Sequence, residues 1–280
     1  MDPVAVEARR RLCELAERPD EEVNLAEAAL LIACEEYPAL DIEHYLGRLD
    51  DMAKSLKGHI PRTNDAPRLA QAINTYLFQE LGFSGDLEAY HDPRNSFLND
   101  VLDRRRGIPI TLSTLYLELA RRIGFRVDGI GLPGHFMLRH STNGSAFYID
   151  AFNAGSLLTV NDCREKVSRM YGGAVAFQSE FLEPVTKRQI VTRMLCNLKG
   201  IYISLEDYLK ALSATDRILL LNPEYDAELR DRGLLYFRLE CFRSALRDLS
   251  GYLERKPDAR DAREIRRHVK RLSNLVKMVN

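Results

Sequence analysis

The stretch that decides the fold is residues 107–140, GIPITLSTLYLELARRIGFRVDGIGLPGHFMLRH. Its first half predicts a helix from Pro109 to Ile123, because proline suits the first helical position and Gly124 suits the position just after the last. The apolar residues of this helix form a broad stripe that predicts burial: Leu112, Leu115, Tyr116, Leu119 and Ile123.

Three strand-like segments follow this helix, at residues 125–132, 135–140 and 146–151. The polar residues 141–145 between the last two predict a hairpin turn. A buried helix followed by an antiparallel sheet is an α+β arrangement. Apolar residues recur at helical spacing through residues 1–82, which predict a helical lead-in to this core.

A spacing of 34 residues recurs towards the C-terminal end of the sequence. Identical residues at this spacing include Tyr202 and Tyr236, Ala211 and Ala245, Pro223 and Pro257, and Leu195 and Leu229. This pattern resembles the tetratricopeptide repeat, in which helix pairs stack on their neighbours. The second copy fits the pattern best, whereas the first has Lys199 where glycine is usual. The tyrosines are predicted to fill space between repeats, and Tyr202 and Tyr236 are also candidate binding residues.

The chain is therefore predicted to have two domains. Residues 1–184 form the α+β domain, with its core at 96–184, and residues 188–280 form an all-α repeat domain that ends in a capping helix. That last helix is rich in arginine and lysine. We interpret it as a polar cap on the repeats, or as a surface for an acidic partner or a phosphate, with these candidate binding residues: Arg263, Arg267 and Lys270.

One histidine and one aspartate are candidates for a site in the α+β core. His135 begins one predicted strand and Asp150 ends the next. In adjacent antiparallel strands the two side chains could meet, and the carboxylate would then orient the imidazole.

Three sequence blocks together carry a resemblance to a known family. They are GIPI at 107–110, GLPGHF at 131–136 and YIDAFNAG at 148–155, and the 34-residue repeats follow them. This combination resembles the bacterial SirB-type family of transglutaminase-like proteins with a tetratricopeptide tail. The resemblance implies a papain-like core with a nucleophilic cysteine at the start of the buried helix, followed by histidine and aspartate on consecutive strands. The helix dipole would lower the pKa of such a cysteine.

The sequence departs from that pattern at the nucleophile. Aligned on Gly124, the cysteine position falls on Pro109, and no cysteine occurs between Cys34 and Cys163. Covalent acyl transfer would lack its thiol. We therefore predict a non-catalytic protein-binding or regulatory protein.

Two alternatives remain open. One is a hydrolase or acyltransferase in which the hydroxyl of Thr111 or Ser113 acts with His135 and Asp150. The other is a scaffold that acts only through the repeat surface.

Composition narrows the possible partners. The 280 residues include 40 Lys and Arg against 41 Asp and Glu, a net charge of -1, so a nucleic-acid partner is not expected. No apolar run is long enough to cross a membrane. Five scattered cysteines, without a CxxC pair, predict a cytoplasmic protein without a cysteine metal site. No phosphate-binding loop is present, and no cofactor is expected.

The charge is unevenly distributed along the chain. Residues 1–60 hold 7 Lys and Arg against 14 Asp and Glu, whereas residues 226–280 hold 14 against 9. Charge runs of this kind are typical of solvated helix faces, and opposite signs would also let the two ends attract each other or a charged partner.

Overall fold

The computed structural model describes residues 3–142 and 145–278, so residues 143 and 144 of the predicted hairpin turn lie outside the described part. None of the helices in the described part is long and apolar enough to span a membrane. These helices are α1 (Pro3–Glu17), α2 (Leu25–Ala33), α3 (Ile42–Lys57), α4 (Ala66–Asn74), α5 (Leu98–Arg104), α6 (Pro109–Ile123), α7 (Val160–Tyr171), α8 (Lys187–Ser204), α9 (Tyr208–Leu221), α10 (Asp226–Arg238), α11 (Phe242–Arg255) and α12 (Ala262–Met278).

The chain divides into two compact units, residues 1–194 and 195–280, and we call them unit 1 and unit 2. Unit 1 contains the strands β1 (Ser84–Gly85), β2 (Arg106–Gly107), β3 (Asp128–Ile130), β4 (Met137–Thr142), β5 (Ser145–Asp150) and β6 (Ser156–Leu158). The first two form a short parallel pair, and the others form one antiparallel sheet in the order β3-β4-β5-β6. The helix-plus-antiparallel-sheet class predicted from the sequence is confirmed.

Helix α6 is the buried helix that the sequence predicts, and its ends are confirmed. Pro109 is its first residue, and Gly124 ends it with φ at 80°, in the left-handed region that glycine tolerates. Leu115, Tyr116 and Leu119 are each at most 1% exposed. The helix forms the centre of unit 1, and its N-terminus therefore has a fixed position relative to the sheet.

The first predicted strand is shorter in the structure, the next two keep their length but are displaced by one or two residues, and a fourth strand was missed. The segment 125–132 contributes only β3, and β6 adds a fourth strand beside β5. In β4 and β5, Leu138 stands opposite Ile149. This register places Asp150 at the end of β5 beside the chain that enters β4.

The lead-in is helical as predicted, with one difference. The sequence predicts that the fourth helix of the lead-in runs from about Pro67 to Leu81, but α4 ends at Asn74 and the chain continues as a π-helix, Thr75–Glu80. At this junction the buried Asn74 amide donates to the carbonyl of Gly155 at 2.6 Å. The junction thus supports the loop that follows Asp150.

In unit 2 the two repeats achieve close helix packing in different ways. Gly233 of α10 lies against α11, where an added Cβ would be 2.7 Å from the Leu249 side chain. In the first copy, Lys199 replaces the glycine and donates to Glu228 at 2.7 Å and to Asp231 at 2.8 Å. Burial lowers the pKa of Lys199, but the bonds to Asp231 and Glu228 outweigh burial and raise it overall. The atypical residue is thus held by a local ion-pair network.

Two glycine substitutions in unit 2 are expected to act in opposite directions. Gly233→Ala should lower the free energy of unfolding by about 1–3 kcal/mol, because its methyl group overlaps Leu249. Gly200→Ala is the matched control in α8, where an added Cβ meets nothing within 4 Å. It should raise stability by up to about 1 kcal/mol, since alanine favours helix. Urea unfolding of both variants tests this, and equal effects would contradict the packing at Gly233.

Candidate functional site

His135 and Asp150 meet in the structure. The Nε2 atom of His135 lies 2.9 Å from Oδ1 of Asp150, and the two residues are 7% and 1% exposed. Because an ionised carboxylate only accepts hydrogen bonds, Nε2 carries the proton in this contact. The imidazole is therefore held in one orientation by the carboxylate.

Asp150 also binds two further side chains. Its Oδ2 atom accepts from Nζ of Lys166 at 2.8 Å and from the Asn153 amide at 2.8 Å. Burial raises the pKa of Asp150, but the bonds from His135, Lys166 and Asn153 outweigh burial and hold it well below its ordinary value. Asp150 is thus an ionised carboxylate at neutral pH, shared by a histidine, a lysine and an amide.

The His135 and Asp150 pair opens onto a cavity of about 610 Å³ in unit 1. Its wall includes one face of α7, the end of β5, part of β6 and Tyr90. The lining residues are Tyr90, Pro109, Gly134, His135, Asp150, Phe152, Asn153, Ser156, Leu158, Asp162, Lys166, Arg169 and Met170. The mixture of aromatic, aliphatic and charged groups suits a peptide segment better than a uniformly polar ligand.

Pro109 lies in this cavity with His135 and Asp150. It is the first residue of α6, so the helix N-terminus that the resemblance assigns to a thiol presents a prolyl ring instead. A prolyl side chain carries no nucleophilic atom and no titratable proton.

The two candidate hydroxyls lie elsewhere in the core. Thr111 is fully buried, and its Oγ1 donates to the Asn95 carbonyl at 2.7 Å and accepts from the Ile108 amide at 3.1 Å. Ser113 is also fully buried, and its hydroxyl makes no hydrogen bond with the described residues. Neither residue lines the cavity. Thr111 therefore serves as a capping group at the start of α6.

Sequence reasoning missed the residues that support Asp150. One face of α7 lines the cavity with Asp162, Lys166 and Arg169. This placement brings Lys166 within reach of Asp150. Asn74 holds the following loop at Gly155, whose φ is 72° and where an added Cβ would overlap the Asn74 side chain. The block YIDAFNAG signalled this loop, but no local pattern signalled its partners.

The candidate binding residues of unit 2 differ in exposure. Tyr202 is 4% exposed, so its ring packs inside the protein and is not available to a partner. Tyr236 is half-buried against the apolar cluster of α11 and α12. The three basic candidates on α12 are all exposed: Arg263, Arg267 and Lys270.

Within residues 3–142 and 145–278, no group of three or more His, Cys, Asp or Glu side chains is placed to hold a metal ion. The carboxylate oxygens of Asp150 bind His135, Lys166 and Asn153.

Comparison with known families agrees with this geometry. The profile of the transglutaminase-like superfamily matches residues 43–196, which include His135, Asp150 and Lys166. The chain belongs to the transglutaminase-like superfamily. A tetratricopeptide repeat profile matches residues 198–270. The SirB-type assignment predicted from the sequence is confirmed by bacterial relatives whose sequences align with most of this chain.

The relatives that match most of the chain come from bacteria, and a mammalian protein matches a shorter part of it. A UPF0162 protein of Xylella fastidiosa is 38% identical over 93% of this chain and 94% of its own. A UPF0162 protein of Vibrio cholerae is 30% identical over 94% of this chain and 97% of its own. F-box only protein 21 of Mus musculus is 31% identical over 61% of this chain but 28% of its own.

The Asp150 network predicts a pH-dependent stability. Asp150→Asn should lower the free energy of unfolding by about 3 kcal/mol at pH 7, because it removes one partner of a buried ion pair. A carboxyl whose pKa is lowered by folding stabilises fully above its unfolded pKa of about 3.9, and this contribution declines as pH falls towards the folded value. The difference between wild type and variant should therefore shrink below about pH 4.

Urea unfolding at neutral and acidic pH measures this difference. Asp51→Asn is the control, because Asp51 is exposed and forms no ion pair with the described residues. A difference that stays constant across the acidic range would show that Asp150 is not a stabilising carboxylate.

Proposed function

We propose that this chain is a non-catalytic protein-binding or regulatory protein, in which a transglutaminase-like cavity no longer performs acyl transfer. The observation that carries the proposal is Pro109, which lines the cavity beside His135 and Asp150 at the start of α6. Acyl transfer through a covalent intermediate needs a nucleophile at this point. The remaining pair can orient a proton and accept hydrogen bonds, but it has no group to acylate.

The buried hydroxyls support this proposal over a hydroxyl-dependent enzyme. Such an enzyme would use Thr111 or Ser113 with His135 as the base. The Thr111 hydroxyl is already bonded within the start of α6, and Ser113 lies outside the cavity lining. Activation of either hydroxyl by His135 would require α6 to rearrange in the core of unit 1.

The repeat unit supports the binding part of the proposal. Tetratricopeptide repeats generally mediate interactions between proteins, and their profile covers residues 198–270. A scaffold that acts only through this unit is the remaining alternative. In that case Arg169→Met, which alters the cavity lining without removing a partner of Asp150, would leave partner binding unchanged. We favour use of both units in a protein of the cytoplasm.

Wild-type protein is expected to show no hydrolysis or transamidation of peptide esters or amides above the level of His135→Ala. Without a nucleophile in the cavity, His135 has no group to activate. A fluorogenic panel of both substrate types measures this. Turnover that His135→Ala abolishes would instead establish the hydroxyl-dependent enzyme.

A restored thiol tests the geometry separately. In Pro109→Cys, the helix N-terminus and the nearby imidazole should stabilise a thiolate. The new thiol should therefore react with iodoacetamide about tenfold faster than in Pro109→Cys combined with His135→Ala. Peptide mapping by mass spectrometry resolves it from the five native cysteines. Equal rates in the two variants would mean that position 109 does not face His135.

A further inference from the structure

The basic side chains of unit 2 fall into two groups. Most are engaged with neighbours: Arg230 pairs with Asp261, Arg232 pairs with Asp248, and Lys256 pairs with Asp226. Five others are exposed and make no hydrogen bond, ion pair or ring contact with the described residues. We call these five the basic stripe: Arg260, Arg263, Arg267, Lys270 and Lys277.

The basic stripe is distinct from the other arginines of α12. Arg266 donates to the carbonyl of Pro257 at 2.5 Å, and Arg271 stacks over the Phe237 ring. These two side chains help to hold α12 on its unit. The members of the basic stripe have no such packing role.

Four members of the stripe follow one side of α12, and Arg260 lies in the turn before this helix. Positions 263, 267, 270 and 277 recur at steps of four, three and seven residues, which return to the same helix face. Ile265 and Leu272, at most 2% exposed, lie on the opposite face and pack into the cluster of α11 and α12. The charged line from 263 to 277 is about 21 Å long.

Helix stability and solubility do not account for this arrangement. Like charges at spacings of three and four residues destabilise a helix, and Arg263, Arg267 and Lys270 have those spacings. A soluble polar cap is served equally well by interspersed charges of both signs. Four unpaired cations on one face of α12, with Arg260 in the turn before it, therefore point to a partner of opposite charge.

We propose that the basic stripe binds a segment of a partner protein that is rich in aspartate and glutamate. This inference rests on the proposed protein-binding function and names the chemistry of the partner. Acidic residues one turn apart on a helix recur at about 6 Å, which matches the axial spacing of Arg263 and Arg267. Each contact is solvent-exposed, so binding depends on several simultaneous pairs and weakens with salt.

The surroundings of the stripe favour an acidic protein segment over nucleic acid. The stripe is one helix wide, and exposed acids occur in the same stretch of chain at Glu254, Asp258 and Glu264. A nucleic-acid backbone continues beyond 21 Å and would place phosphates against these acids. The whole chain has a net charge of -1. A short acidic segment need not extend beyond the 21 Å of the stripe.

Fluorescence anisotropy of the full-length protein tests the proposal at about 0.05 M salt, where exposed charges are weakly screened. One probe is a fluorescein-labelled peptide of repeated Glu-Glu-Ala units. The other is a single-stranded oligothymidylate with the same number of negative charges. The variant is Arg263→Glu with Arg267→Glu and Lys270→Glu. The control reverses three exposed basic residues of unit 1 that lack ion pairs: Lys54, Lys57 and Arg62.

Wild type should bind the acidic peptide saturably and more tightly than the oligonucleotide. Charge reversal in the stripe should weaken peptide binding by at least about tenfold, and the control, with the same change in net charge, by less than about twofold. Equal loss in both variants, or no saturable binding, would overturn the proposal. Circular dichroism verifies that both variants retain the wild-type fold.

Two other ligands of the basic stripe would give results that differ from those expected for an acidic peptide. Tighter binding of the oligonucleotide, lost on reversal of the stripe, would replace the protein partner with nucleic acid. A salt-sensitive dimer in sedimentation, lost in the same variant, would assign the stripe to a second copy of this chain. The catalytic assays above concern the cavity, so His135-dependent turnover would refute the proposed function without changing the anisotropy result.

Discussion

The Asp150 carboxylate is the charge on which the cavity depends. A carboxylate that is 1% exposed is stable only when its oxygens are bonded and its charge is compensated. His135, Lys166 and Asn153 do this from three different segments: the entry to β4, helix α7 and the loop after β5. The same bonds therefore set the positions of these segments and the shape of the cavity wall.

This constraint gives the pair of His135 and Asp150 a role that does not depend on a thiol. The loss of any one partner of a buried charge leaves the others unpaired, so the pair of His135 and Asp150 has a structural role of its own. Pro109 is compatible with this role, because proline suits the first position of a helix and needs no hydrogen-bond partner there. The fold thus tolerates the absence of a thiol while the surrounding polar network stays intact.

The sequence predicted the features that local chemistry determines. The two ends of α6 followed from Pro109 and Gly124, and the meeting of His135 and Asp150 followed from consecutive antiparallel strands. The role of Lys166 could not be predicted, because it depends on how α7 lies over the sheet. Tyr202 shows the same limit: its spacing revealed the repeat, but only the packed structure shows that its ring is buried. Strand β6 was missed because three residues are too short to show alternation.

Because Lys199 stands where the second repeat has Gly233, different interactions stabilise the helix contacts at these two positions. Around Gly233 the contact is apolar and close, with Leu249 filling the space that a side chain would need. Around Lys199 the contact is ionic, and Glu228 and Asp231 supply both compensating charges. The hydration penalty of ion pairs falls on heating, whereas apolar contacts lose strength on cooling. The two repeats share one sequence period, but the contacts at Gly233 and at Lys199 therefore respond differently to temperature. Heating and cooling should each weaken one of the two contacts more than the other.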